Sequence, residues 1–211
     1  MEIVRRSLEV TLTALTISTL IGIPVGTWFA LNRFPGKRVL TAFIYTGMGL
    51  PPVVVGLAVY LMLSRSGPFG DLGWLFNFEA MIVGQVILAT PLIIGVTLSA
   101  VNSVDPGLRP QLRALGATHA QAIWGMLYEA RFGLIVGLVA GFGSIISEVG
   151  AVMLVGGNIE GRTRVLTTAV VLETQRGNFD VAMALGLILL TISFVTNAML
   201  VLLQGRSGAH T

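Results

Sequence analysis

A chain of 211 residues that is 54% hydrophobic and 11% charged, with a mean hydropathy of +0.86, is too apolar for an ordinary soluble domain and reads as an integral membrane protein. Its net charge of +3 is spread over short connections, with a single lysine and no basic run, which leaves nucleic-acid binding without support. The absence of cysteine excludes disulfides, thiolate metal sites and thiol catalysis.

Five runs are long enough to cross about 30 Å of hydrocarbon at about 1.5 Å per residue. They are Val10 to Leu31, Val39 to Leu63, Ala80 to Val101, Phe132 to Val155 and Val181 to Gly205, and only the fourth contains a charge, Glu148. Their length and lack of strict alternation predict helices rather than barrel strands, so the expected fold is an all-α integral membrane protein with five transmembrane helices. The first run outlasts a signal-peptide core and has no small-x-small cleavage pattern after it, so it is read as a permanent helix. It carries Gly22 and Gly26, a small-residue row that lets two helices approach closely, and Pro24.

The second run holds Pro51 and Pro52 and the third holds Pro91. Each proline removes a backbone bond and is expected to kink its helix, and broken helices in lipid often mark a pathway. Trp28, Trp74, Phe76, Phe78, Trp124 and Tyr128 fall near predicted span ends, as an interfacial aromatic belt requires.

The connection Asn102 to Arg131 is amphipathic. Read as a helix, it places Leu108, Leu112, Leu115, Ala122, Ile123 and Met126 on one face, with Pro106 and Pro110 ahead of it and Gly116 interrupting it. This predicts two short helices with a bend. From the residues alone two roles stand level, an interfacial helix resting on the membrane and a docking element filling a groove on a soluble partner.

The fourth run opens with Gly133, Gly137 and Gly141 at four-residue spacing, read as helix packing within the chain ahead of a dimer seam. Glu148 in that run is expected to face a cavity or a partner, as a gate or a structural hydrogen-bonding group with Ser147, the backbone of Gly156 to Asn158, or an arginine. Next comes GGNIEGRTR, Gly156 to Arg164. Its glycine amides, Asn158 and Thr163 suit a large dianion, and Arg162 and Arg164 would attract one; an outer turn that caps the bundle or docks a partner is the competing reading. The segment Val165 to Thr174 is too short to span and is expected to pack at the outer mouth.

Enzyme chemistry finds no residues here. His119 and His210 have no likely partner ligands, and the lysine, Lys37, sits in PGKR rather than in a phosphate loop, so neither a catalytic nor a metal site is expected and any ATP is bound by another chain.

The stretch LRALGATHAQAIWGMLYEARFG resembles the cytoplasmic loop of ABC-importer permeases, where Glu-Ala-Ala, three residues, Gly, nine residues and Ile-x-Leu-Pro couple to the ATPase. The glycine falls on Gly116, followed by Ala117 and Thr118. The Glu-Ala-Ala positions are Pro110, Gln111 and Leu112, and the Ile, Leu and Pro positions are Met126, Tyr128 and Glu129, all departures from the pattern. Two further blocks, LPPVVVGLAVYLMLSRSGPFGDLGWLF (50–76) and SEVGAVMLVGGNIEGRTRVLTTAVVLET (147–174), resemble the oxyanion branch of that family, the molybdate, sulfate and especially tungstate permeases.

The resemblance implies a type I permease domain over residues 7–205, with a coupling helix in the loop 102–131. Coupling to the ATPase would fall on Leu112, Arg113, Ala114, Leu115, Gly116, Ala117, Thr118, His119, Ala122 and Trp124. The gate or translocation path would include Ser147, Glu148, Gly156, Gly157, Asn158, Arg162, Thr163 and Arg164.

It further implies a second copy of the chain, two ABC ATPase subunits that hold ATP and magnesium, an extracytoplasmic oxyanion-binding protein, and membrane lipid around the spans. Counting basic residues, seven on one side against six on the other, decides no orientation. The resemblance puts the chain in the cytoplasmic (inner) membrane with its N-terminus outside and its C-terminus in the cytoplasm. Tungstate is the expected cargo and molybdate the next. The alternatives are another oxyanion such as sulfate, an ion-gradient carrier that would depend on Glu148 alone, and a membrane scaffold that transports nothing.

Overall fold

The computed structural model describes residues 2–205, so Arg206 and His210 lie outside the described residues. Among these residues every regular element is helical. Helix α1 (Glu2–Leu31) runs unbroken through Pro24, and α4 (Phe78–Asn102) runs unbroken through Pro91. The run 39–63 behaves differently. It forms α2 (Lys37–Met48) and α3 (Pro52–Leu63), which meet at 98°. Two adjacent prolines explain the contrast: Pro51 is held at φ −62°, ψ 121°, the extended backbone that a following proline imposes, and Pro52 restarts the helix where its missing N–H costs nothing.

After α4 come α5 (Leu108–Ala114), α6 (His119–Glu129) and α7 (Arg131–Ile146), with 65° between α6 and α7. The run 132–155 is also interrupted, since α7 ends at Ile146 and α8 (Gly150–Gly156) begins after Ser147, Glu148 and Val149. Helix α9 (Leu166–Gln175) precedes the last helix, α10 (Phe179–Gly205). In the turn between them, the Asn178 amide donating to Glu173 at 2.8 Å, with Arg176 beside it, holds that carboxyl below the usual carboxylate range. Helices α1, α4 and α10 are each long and apolar enough to cross a membrane, and five crossings result if the bent pairs α2/α3 and α6/α7 each count as one.

Small residues set the packing. A Cβ added at Gly22 of α1 would stand 2.7 Å from Ile93 of α4, and one at Gly26 would stand 2.7 Å from the Ile94 carbonyl. Only glycine lets these two helices approach so closely. The row on α7 does the same work: Cβ atoms at Gly133 and Gly137 would meet Ala100 at 2.7 Å and Val96 at 2.6 Å on α4. That row is therefore a seam within the chain.

Helix α3 packs on α8 at Gly56, where an added Cβ would reach the Ala151 Cα at 2.6 Å. At the end of the bundle that carries the start of α1, the core is Val10, Val55, Val59, Met81, Val152 and Val155. At the opposite end, Ala100, Val101, Val104, Met126 and Ala130 form a second cluster that seats α6.

Candidate functional site

At that second end, α5 and α6 form a bent wedge whose geometry follows from its sequence. Helix α5 stops because Gly116 adopts φ +90°, a left-handed conformation that glycine enters without cost. The Ala117 amide then donates to the Leu112 carbonyl at 3.0 Å and the Gly116 amide to the Arg113 carbonyl at 3.1 Å, the paired bonds of a Schellman closure. The Arg113 guanidinium adds a bond to the Ala117 carbonyl at 2.8 Å. One residue later α6 begins with a capping box. The Gln121 amide donates to the Thr118 hydroxyl at 3.3 Å, and the Thr118 amide donates to the Gln121 side chain at 2.7 Å. Leu112 lies over Gly125 and folds α5 onto α6.

The single apolar face expected from the sequence does not survive this bend, because the helical register restarts at Thr118. Ala122 and Met126 are buried at 0% and 3% exposure, whereas Leu115 at 86% and Trp124 at 71% stand out from the wedge. Ala114 and His119 are also exposed. Coupling candidates thus divide into residues that seat the wedge and residues that it presents.

The second group of candidates surrounds α8. Ser147 donates back to the carbonyls of Gly143 at 2.7 Å and Ser144 at 3.1 Å, as a serine closing a helix does. Glu148 lies in the gap between α7 and α8. Its Oε1 accepts the Ala151 amide at 2.9 Å, capping the first turn of α8, and its carbonyl accepts the Thr167 hydroxyl at 2.9 Å. None of the side-chain partners expected from the sequence is the one found.

In the following loop Gly156 is buried, and Gly157, at φ +70°, lies against the Phe76 ring. Asn158, at φ +52°, donates to the Thr168 carbonyl at 3.3 Å. Thr163 is 1% exposed; its hydroxyl donates to the Gly156 carbonyl and accepts the Ile159 amide at 2.9 Å. These polar groups, taken from the sequence as possible anion donors, are spent on closing the loop. Arg164 pairs with Glu160 at 3.2 Å, whereas Arg162 is exposed. The loop is tied to α1 by Arg6, donating to the Gly161 carbonyl at 3.4 Å, and by Ser7, accepting the Leu166 amide at 2.7 Å.

Two features escaped the sequence reading. Gln85 of α4, 4% exposed, donates to the Ile145 carbonyl at 3.0 Å and fixes the end of α7; an amide inside an apolar run was the available signal. The basic residues Arg33, Lys37, Arg38 and Arg109, which the sequence did not bring together as a group, gather around the end of α1. Among the described residues no group of three acidic or histidine side chains could hold a metal ion.

A probable anion ABC transporter permease protein of Haloferax volcanii is 46% identical over 198 residues, covering 92% of this chain and 85% of that protein. The tungstate uptake system permease protein TupB of Peptoclostridium acidaminophilum is 40% identical, covering 94% and 87%. Among solved structures, a bacterial alginate ABC transporter matches with a TM-score of 0.76 at 20% identity, over 94% of this chain and 76% of that one. At that identity it speaks for the fold, which is that of the type I ABC importer permeases. The family model described as binding-protein-dependent transport system inner membrane component matches residues 22–208. The chain is a multi-pass membrane protein and belongs to this family of transport-system inner membrane components.

Proposed function

We propose that the chain is the membrane-spanning permease subunit of an ATP-driven importer for a tetrahedral oxyanion, tungstate first and molybdate next. It works as a pair of identical chains with two ABC ATPases, which bind ATP and magnesium, and with an extracytoplasmic binding protein that delivers the anion. The observation that carries this reading is the wedge: it buries Ala122 and Met126 in its own bundle and presents Leu115 and Trp124. A helix merely resting on lipid would turn one apolar face toward the membrane. Here Leu115 protrudes at a bend flanked by exposed Arg113 and His119, which suits a groove on a soluble partner.

The wedge accordingly faces the cytoplasm, with the start of α1 outside and the end of α10 inside. Closure of the ATPase pair draws the two wedges together, and the spans pass between inward-open and outward-open states. The loop Gly156 to Arg164 sits at the outer mouth. Its exposed Arg162 draws the dianion, and Glu148 keeps α8 in register with the gate. Identity to the tungstate permease over nearly the whole chain supports the choice of cargo.

The test is uptake by proteoliposomes that contain the chain, the ATPase that co-purifies with it and the binding protein. Tungstate should cross only when ATP is supplied on the side that carries the ATPase, and excess molybdate should compete more strongly than sulfate. Uptake driven by an ion gradient without ATP would overturn the proposal.

A further inference from the structure

Four basic side chains converge where α1 ends and α2 begins. Lys37 donates to the Asn32 carbonyl at 3.0 Å and Arg109 donates to the Leu31 carbonyl at 3.1 Å, so these two cap the carbonyl end of α1. A helix C-terminus carries only about half a negative charge, which two cations already exceed. Arg33 and Arg38 are then surplus: both are exposed, and neither has an ion-pair partner among the described residues.

They border an open cleft of about 880 Å³ formed by the connection that follows α1 and by one face of α2, and no acidic residue lines it. The adjoining cleft of about 370 Å³, which shares Arg33 and Lys37 and adds Arg109, has no acidic lining either. This concentration of positive charge favours an anionic occupant.

The surroundings indicate what kind. Trp28 and Phe34 stack with ring centroids 4.8 Å apart beside the cations, the aromatic pairing typical of headgroup depth. From the cations the larger cleft continues along α2 past Ala42 to Tyr45, and α2 has no buried residue of its own. Basic residues clustered beside a membrane-spanning segment attract acidic lipid headgroups.

We infer that this cleft holds an anionic phospholipid, its phosphate between Arg33 and Arg38 and an acyl chain along α2 toward Tyr45. A free oxyanion would use the cations and leave the apolar trough along α2 without a role. The inference needs only that the chain spans a membrane, so it stands or falls apart from the identity of the cargo.

The test takes the full-length chain, in the complex in which it purifies, into nanodiscs of mixed phosphatidylglycerol and phosphatidylcholine, and counts the retained lipids by native mass spectrometry. Wild-type protein should retain phosphatidylglycerol preferentially. In the Arg33→Gln/Arg38→Gln pair the preference should fall by roughly thirtyfold, the factor that two basic residues at an anionic surface are worth. Arg33→Lys/Arg38→Lys, which keeps the charge, should retain most of it, and Arg65→Gln, at an exposed position outside the cleft, should leave the lipid preference unchanged.

Equal retention by wild type and the Gln pair would overturn the inference, as it would if a second copy of the chain covered the cleft. So would release of the lipid by millimolar molybdate or phosphate, which would make the cluster a site for free anions. If the Gln pair fails to insert, Arg38→Glu alone must still reduce the preference below that of wild type, and an unchanged preference there overturns the inference as well.

Discussion

At Gly116 the backbone, not the surroundings, demands glycine: φ is +90°, yet a Cβ placed there would meet nothing within 4 Å. A side chain is therefore penalised by strain alone, about 1 to 2 kcal/mol for an L-residue in the left-handed region and less for asparagine. Gly116→Val should lower ATP-dependent uptake by roughly tenfold while the protein still inserts, whereas Gly116→Asn should stay near wild type. Measuring ATP hydrolysis and uptake in the same vesicles separates uncoupling from loss of protein, and equal uptake by both variants would remove the wedge from the coupling step. Thr163 makes the opposite case, since its demand is chemical. Its buried hydroxyl serves both the Gly156 carbonyl and the Ile159 amide. Thr163→Val keeps the shape and strands both groups, which costs about 1 to 3 kcal/mol. Thermal melts in detergent should show a clear loss for Thr163→Val and little for Thr163→Ser. The sequence marked both residues, but it left Thr163 between anion binding and a turn that caps the bundle, because a hydroxyl in a glycine-rich loop offers no sign of whether the loop itself consumes it.

Among the elements, the two interrupted spans are linked. The start of α3 lies against the start of α8, where an added Cβ at Gly150 would stand 2.7 Å from Val53. One helix turn further along, Gly56 sets the distance between the two elements, because the atoms a Cβ would strike include the Ala151 backbone at 2.6 Å. Gly56→Val must push α3 off α8, at a cost of about 1 to 3 kcal/mol. A Cβ added at Gly143 on α7 meets nothing within 4 Å, so Gly143→Ala should be close to neutral, and the difference in melting temperature between Gly56→Val and Gly143→Ala tests the seam directly. The break at Pro51 and Pro52 was legible in the sequence because two consecutive prolines leave the backbone few choices. The break after Ile146 was not, since Ser147, Glu148 and Val149 are all compatible with a continuing helix and only the tertiary contact to Thr167 and the cap on Ala151 favour the interruption. Pro24 and Pro91, each standing alone, lie inside helices that continue through them, so among the prolines only the adjacent pair interrupts a span.

For the molecule as a whole, composition and run length made the all-helical membrane character plain, whereas orientation was out of reach because basic residues are nearly balanced between the two ends. The proposed coupling role needs the wedge in the cytoplasm and the loop Gly156 to Arg164 outside, and the chain provides its own means of checking this because it contains no cysteine. A single cysteine at Leu115, 86% exposed, and another at Arg162, also exposed, report from opposite ends of the bundle without background labelling. In intact cells a membrane-impermeant maleimide should modify Arg162→Cys and leave Leu115→Cys untouched. In inverted membrane vesicles the pattern should reverse, and the partner ATPase should protect Leu115→Cys until it is stripped from the membrane. Protection of that position is the more demanding result, since topology alone predicts its sidedness and only docking predicts its cover. Labelling of Leu115→Cys from outside intact cells would place the wedge on the wrong side for an ATPase and would end the permease mechanism proposed above.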